Sequence, residues 1–98
     1  MLKKRYISEG KVCEVTFVLS SDIQAASAVL VGDFNNWEKN ATPMKQTKNG
    51  TWQAKVKLEA GREYQYRYVV NGGEWANDQS ADRYTAHPYG GENSVVAT

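Results

Sequence analysis

Between Glu63 and Val70 the chain reads Glu-Tyr-Gln-Tyr-Arg-Tyr-Val-Val. At a period of two, Tyr64, Tyr66, Tyr68 and Val70 share one face and Gln65, Arg67 and Val69 the other, the pattern of a half-buried strand. Asn71-Gly72-Gly73 then supplies residues that tolerate positive φ, so a tight hairpin returns the chain through Trp75 beside its own strand. Arg67 and Trp75 become neighbours on the outward face. Two readings of that pair stand side by side: a cation and an exposed indole forming a binding surface, or a Trp75 folded inward as a corner plug beside a solvated Arg67.

The same alternation organises the rest of the chain. Cys13, Val15, Phe17 and Leu19 alternate with polar or outward positions across residues 11–19, which predicts a strand. The residues before it read as a polar lead-in, with Lys3-Lys4-Arg5 a solvated tail. Residues 20–26 read as a turn and loop. Ala28 to Gly32 is a compact apolar strand whose closing glycine marks a bulge or a close backbone approach. In Asp33-Phe34-Asn35-Asn36-Trp37, Phe34 is expected to anchor the loop in the core and Asn35 and Asn36 to turn the chain. Trp37, between polar neighbours, is a candidate for exposure, with packing against the loop as the alternative. Lys48-Asn49-Gly50 between strand-like runs predicts a hairpin joining residues 42–47 to residues 51–58. Trp52, Ala54, Val56 and Leu58 share a face of its second arm, which makes Trp52 a core residue. Trp75 to Glu92 reads as a long surface loop, and Asn93 to Val96 as a final strand. About six or seven short strands at regular spacing, without an internal repeat, predict an all-β sandwich. Residues 1–98 are expected to form one domain with a core from about Val12 to Val96.

Charge and chemistry narrow the function classes. Twelve Lys and Arg against eleven Asp and Glu leave a formal net charge of +1, so no global field recruits nucleic acid or a membrane surface. The single Cys13 sits in a strand pattern and is read as a buried apolar side chain. Its lack of a disulfide partner, with no membrane-length apolar run and no secretory leader, leads to the expectation of a cytoplasmic protein. His87, the one histidine, has no partner at metal-ligand spacing, so neither a metal nor a cofactor is expected. Asp78, Asp82 and Glu92 fall in one segment and could in principle form an acid and base pair, but loop carboxylates in a small sandwich are more often turn-formers. No catalytic residue is assigned. Three tryptophans, six tyrosines and many amides in a nearly neutral chain suit an uncharged polyhydroxyl ligand. The C–H face of a pyranose meets an indole, while amide and guanidinium groups bond its hydroxyls.

Three segments carry a resemblance: Val29-Leu-Val-Gly-Asp-Phe-Asn-Asn-Trp37, Tyr64-Gln-Tyr-Arg-Tyr-Val-Val-Asn-Gly-Gly-Glu-Trp75 and Tyr89-Gly-Gly-Glu-Asn-Ser-Val-Val96. Their order and spacing resemble carbohydrate-binding module family 48, which includes the glycogen-binding domain of the AMP-activated protein kinase β subunit and the early-set domains of glycogen branching and debranching enzymes. The resemblance implies an immunoglobulin-like (early-set) β-sandwich that binds α-1,4-linked glucan. It implies that Trp37 and Trp75 are stacking platforms, that Arg67 takes the place of a sugar-binding lysine and that Asn93 matches a hydroxyl-binding asparagine. Tyr89 and Gly91 depart from the kinase domain, which has a leucine reaching into the glucan and a sugar-contacting threonine there. The implied role is non-catalytic binding, freestanding or as an accessory to a glycoside hydrolase family 13 protein with a catalytic partner domain. The competing reading is a structural or protein-interaction sandwich that does not bind sugar.

Overall fold

The computed structural model describes residues 2–20, 25–38, 41–78, 80–86 and 91–98. Among these, nine strands run in the order β1 (Leu2–Ile7), β2 (Val12–Leu19), β3 (Ala28–Gly32), β4 (Lys45–Gln46), β5 (Trp52–Glu59), β6 (Glu63–Val70), β7 (Glu74–Ala76), β8 (Arg83–Ala86) and β9 (Glu92–Ala97), with one 3₁₀ turn over Asp33–Asn35. Two antiparallel sheets result. The first has the order β1-β2-β5-β4, the second β3-β6-β9-β8, with β7 also paired to β6. The chain is the all-β sandwich that the alternation predicts.

The inward faces meet in one core of Cys13, Val15, Phe17, Leu30, Met44, Leu58, Tyr66, Tyr68 and Val96, with Trp52, Ala54 and Phe34 packed against it. Phe17 is its aromatic centre, 4.8 Å from the Tyr66 ring and 5.6 Å from Phe34, within the range where tilted and edge contacts are favourable. Phe34 therefore anchors its loop as the pattern predicts. Gly32 is the close approach: a Cβ there would stand 2.6 Å from the Gln65 carbonyl and 2.8 Å from the Phe34 ring, so only glycine lets the loop settle against β6. Beyond the loop, residues 42–46 switch sheets. Thr42 and Met44 bond the backbone of β3 (Leu30 N to Thr42 O and Met44 N to Ala28 O, each 3.0 Å), and Lys45 and Gln46 then pair with Gln53 and Trp52 of β5.

Three expectations need correction. The charged lead-in is strand β1, paired with β2 from Leu2↔Phe17 to Ile7↔Val12. An edge strand can carry charge along its length because one side faces water and its backbone bonds are made on the other. The Lys3-Lys4-Arg5 run is therefore no solvated tail, and Lys4 Nζ holds Asp82 Oδ2 at 2.6 Å. The segment read as a long surface loop contains β8, whose residues are mostly exposed and pair with β9. Finally Asp78, read as a loop carboxylate, is 3 % exposed. His87 lies outside the described residues. No helix among the described residues is long and apolar enough to cross a membrane.

Candidate functional site

The outward face of the second sheet is built on β6. Arg67 stands at a junction: β9 pairs with β6 from Glu63↔Ala97 to Tyr66↔Ser94, and β7 takes over the same edge from Tyr68↔Ala76 to Val70↔Glu74. The hairpin that delivers β7 has Asn71 at φ 52° and Gly72 at φ 80°, as the Asn-Gly pair predicts. It sets Trp75 directly across from Val69, on the face Arg67 shares. Trp75 is 42 % exposed, and the Arg67 guanidinium carbon lies 5.6 Å from its ring centroid, a cation–π distance. Trp75 is therefore exposed beside Arg67 rather than folded inward as a corner plug. Underneath, the outward-facing Val31 and Val69 are nearly fully buried, an apolar floor at register positions opposite Arg67 and Trp75.

Asn93, the second residue of β9, lies on the same face. Its Nδ2 donates to Gln65 Oε1 at 2.9 Å. Its Oδ1 is buried without a partner among the described residues, as is Arg67 Nε. A buried donor and a buried acceptor without partners are costly unless something bonds them. No carboxylate among the described residues pairs with Arg67, so its charge remains available to a ligand. Gly91, at φ 75°, leaves room beside it: a Cβ there would stand 4.0 Å from Arg67 Nη2.

Trp37 approaches from the β3 side. It follows the 3₁₀ turn with φ 59°, after Asn36 at φ 56°, and is partly exposed. Its Nε1 donates to Asp33 Oδ1 at 3.1 Å, and Asp33 Oδ2 accepts the Gln65 backbone N–H at 2.9 Å. Thus Trp37, Arg67, Trp75 and Asn93 are linked through one face and one edge of β6, whereas Tyr89 lies outside the described residues. Asp33 and Gln65 escaped the sequence reading. Gln65 was within reach, since the period of two puts it on the Arg67 face. Asp33 carried no signal beyond its place beside Gly32.

Two of the three carboxylates weighed as an acid and base pair are committed to structural bonds, and the third is exposed. Asp78 binds the Tyr66 and Tyr68 hydroxyls, Asp82 binds Lys4 and the Ala97 N–H, and Glu92 is exposed. Among the described residues no group of three His, Cys, Asp or Glu could hold a metal ion. A concavity beside β4 and β5, lined by Thr42, Pro43, Lys45, Gln53 and Lys55 among others, lacks an aromatic platform and lies away from this face.

Comparison with known proteins agrees with the geometry. Residues 10–90 match the family model for carbohydrate-binding module 48 (isoamylase N-terminal domain). Over 73 residues the chain is 32 % identical to the 1,4-alpha-glucan branching enzyme GlgB 2 of two strains of Xanthomonas campestris pv. campestris, covering 74 % of this chain and 10 % of the relative. The chain thus spans about a tenth of the length of these curated relatives. With the family model matched over most of its length and a sandwich that presents an aromatic, amide-rich sheet face, the chain belongs to the carbohydrate-binding module 48 family.

Proposed function

We propose that the chain binds α-1,4-linked glucan, as glycogen, starch or maltooligosaccharide, without acting on it. In this reading Trp37 and Trp75 are the stacking platforms, Arg67 and Asn93 bond the sugar hydroxyls, and Tyr89 adds a further aromatic contact. The observation that carries it is the juxtaposition on one sheet face of the exposed Trp75, of Arg67 without a carboxylate partner among the described residues, and of Asn93, whose Oδ1 has no partner among them. A sugar hydroxyl is both donor and acceptor, so it can accept from Arg67 and donate to Asn93 while the pyranose C–H face lies on the indole. The similarity to branching enzymes supports a cytoplasmic role, either freestanding or as an accessory to a family 13 catalytic domain.

A shallow, preformed platform with few anchors gives affinities of about millimolar to micromolar. Calorimetric titration with maltoheptaose or β-cyclodextrin should fall in that range. Trp37→Ala and Trp75→Ala should each weaken binding by about tenfold or more, the usual cost of truncating an aromatic anchor, with the far-ultraviolet spectrum unchanged. Wild-type protein that binds neither sugar, or undiminished binding in both variants, would overturn the assignment.

A further inference from the structure

Trp37 sits where a tryptophan is expensive to hold. It and Asn36 are successive non-glycine residues in the left-handed region, at φ 59° and 56°, a conformation that bulky side chains rarely adopt. The backbone is strapped in place: Trp37 N donates to Gly32 O at 3.0 Å. Asn35 Oδ1 accepts the Gly32 N–H, and Asn35 Nδ2 donates to Leu30 O and Thr42 Oγ1, all at 3.0 Å. These bonds fix the chain and leave the indole free to rotate about its side-chain torsions. The bond from Trp37 Nε1 to Asp33 Oδ1 holds the ring itself.

We propose that Asp33 is a positioning residue for Trp37, its carboxylate bridging the indole N–H and the Gln65 backbone N–H so that the ring is clamped to β6 before a ligand arrives. A carboxylate suits this position because both of its oxygens accept, and each meets a donor, at 3.1 Å and 2.9 Å. A neutral amide offers one acceptor and would turn its NH₂ toward the other N–H. The clamp continues past Gln65, whose Oε1 accepts from Asn93 Nδ2. The loop platform and the β9 amide are thereby joined through one strand. An indole ordered in advance spares a ligand the cost of immobilising it, which corresponds to about two- to tenfold in affinity. Both bonds of Asp33 are exposed, so they do little for global stability.

The role of Trp37 as a platform rests on the function proposed above, and two independent readouts separate the ideas. The first needs no sugar: the Trp37 indole ¹H–¹⁵N resonance, assigned by its loss in Trp37→Ala. In the wild type it should show an order parameter near that of rigid backbone, about 0.85, falling toward about 0.6 in Asp33→Ala and in Asp33→Ser, whose side chain is too short to bridge both donors. The second is a maltoheptaose titration of wild type, Asp33→Ala, Trp37→Ala and the double variant. Asp33→Ala should lose about two- to tenfold in affinity alone and nothing further in the Trp37→Ala background. An indole equally ordered without Asp33, or an equal loss of affinity in both backgrounds, would overturn the positioning role. If the wild type does not bind maltoheptaose, the binding reading fails while the indole measurement still decides whether Asp33 clamps the ring.

Discussion

At the scale of single residues, two aspartates do opposite work. Asp33 is exposed and orders one side chain, while Asp78 is 3 % exposed and holds a buried polar cluster. Its Oδ2 accepts the Tyr66 hydroxyl at 2.8 Å and the Tyr68 hydroxyl at 3.1 Å, and Oδ1 accepts the Ser80 N–H at 2.9 Å. Its own N–H donates to Ser94 Oγ at 2.9 Å, and the Tyr84 hydroxyl donates to its carbonyl. Burial pushes the Tyr66 phenol up, with the neighbouring Tyr68 and Asp78 adding to it, and burial followed by the Asp78 charge does the same to Tyr68. Both phenols therefore remain donors at any ordinary pH. Asp78→Ala would strand two buried hydroxyls and should destabilise the fold by about 3 kcal/mol or more, against about 1–2 kcal/mol for Tyr66→Phe, which removes one donor and leaves the carboxylate with others. Urea unfolding of the two variants measures the difference, and equal losses would show that Asp78 does not anchor the cluster. The sequence held half of this. Three tyrosines at a period of two were legible as inward, and a buried phenol needs an acceptor. The acceptor comes from ten or more residues away, across a turn, and no local pattern identifies it.

At the scale of elements, the strands legible from alternation are those with a buried face, whereas the exposed β4 and β7 were legible only through the Asn-Gly turns beside them. β2, β3, β5 and β6 each place apolar residues toward the core at a period of two, and burial makes that period visible, while β9 shows as a short run ending in Val95-Val96 that is buried on both faces. β1 and β8 are edge strands with mostly exposed side chains, so selection for packing leaves little trace in them. Lys4 illustrates the difference. It aligns with Val15, on the side of β1 that carries Leu2 toward the core, and an inward charge on an edge is a barrier to further strand pairing. It is matched by Asp82, which also accepts the Ala97 N–H at 2.8 Å. Burial alone would raise the Asp82 carboxyl, but the Lys4 and Ala97 hydrogen bonds and the Lys4 charge outweigh it and leave it below its ordinary value of 3.8. A carboxyl depressed in the folded state contributes stability that is present above its unfolded pKa and is lost as pH falls through the folded value. Thermal unfolding of Lys4→Met, which keeps most of the apolar stem, should therefore show a lower midpoint than the wild type at pH 7, and the gap should close by about pH 2. A gap that persists in acid would mean that Lys4 acts through packing rather than through its bond to Asp82.

At the scale of the whole molecule, the proposed ligand face draws on residues as distant in sequence as Trp37 and Asn93, assembled by a sandwich whose long-range pairings put Gln65 and Arg67 at the centre. The signature segments made the four described candidate residues legible as a group. Their linkage through Asp33 and Gln65 was not, because it depends on how the β3 loop closes over β6, which Gly32 permits. The charge balance of the chain adds a test of ligand class. With a formal net charge of +1 there is no long-range field to screen. Arg83, on the same face, is paired with Glu63, whereas Arg67 sits against the Trp75 ring without a described carboxylate partner. If Arg67 donates hydrogen bonds to neutral hydroxyls, raising the salt concentration should leave maltoheptaose affinity within about twofold, since only interactions between charges are shortened by a smaller Debye length. Arg67→Lys keeps the charge but loses the planar group that lies by the indole, so it should weaken binding modestly, whereas Arg67→Ala should weaken it severely. An anionic ligand would behave differently: affinity would fall steeply with salt, and Arg67→Lys would be nearly silent. Titration of the wild type and both variants at low and high salt distinguishes the two, and the steep salt dependence would remove neutral glucan as the ligand of this face.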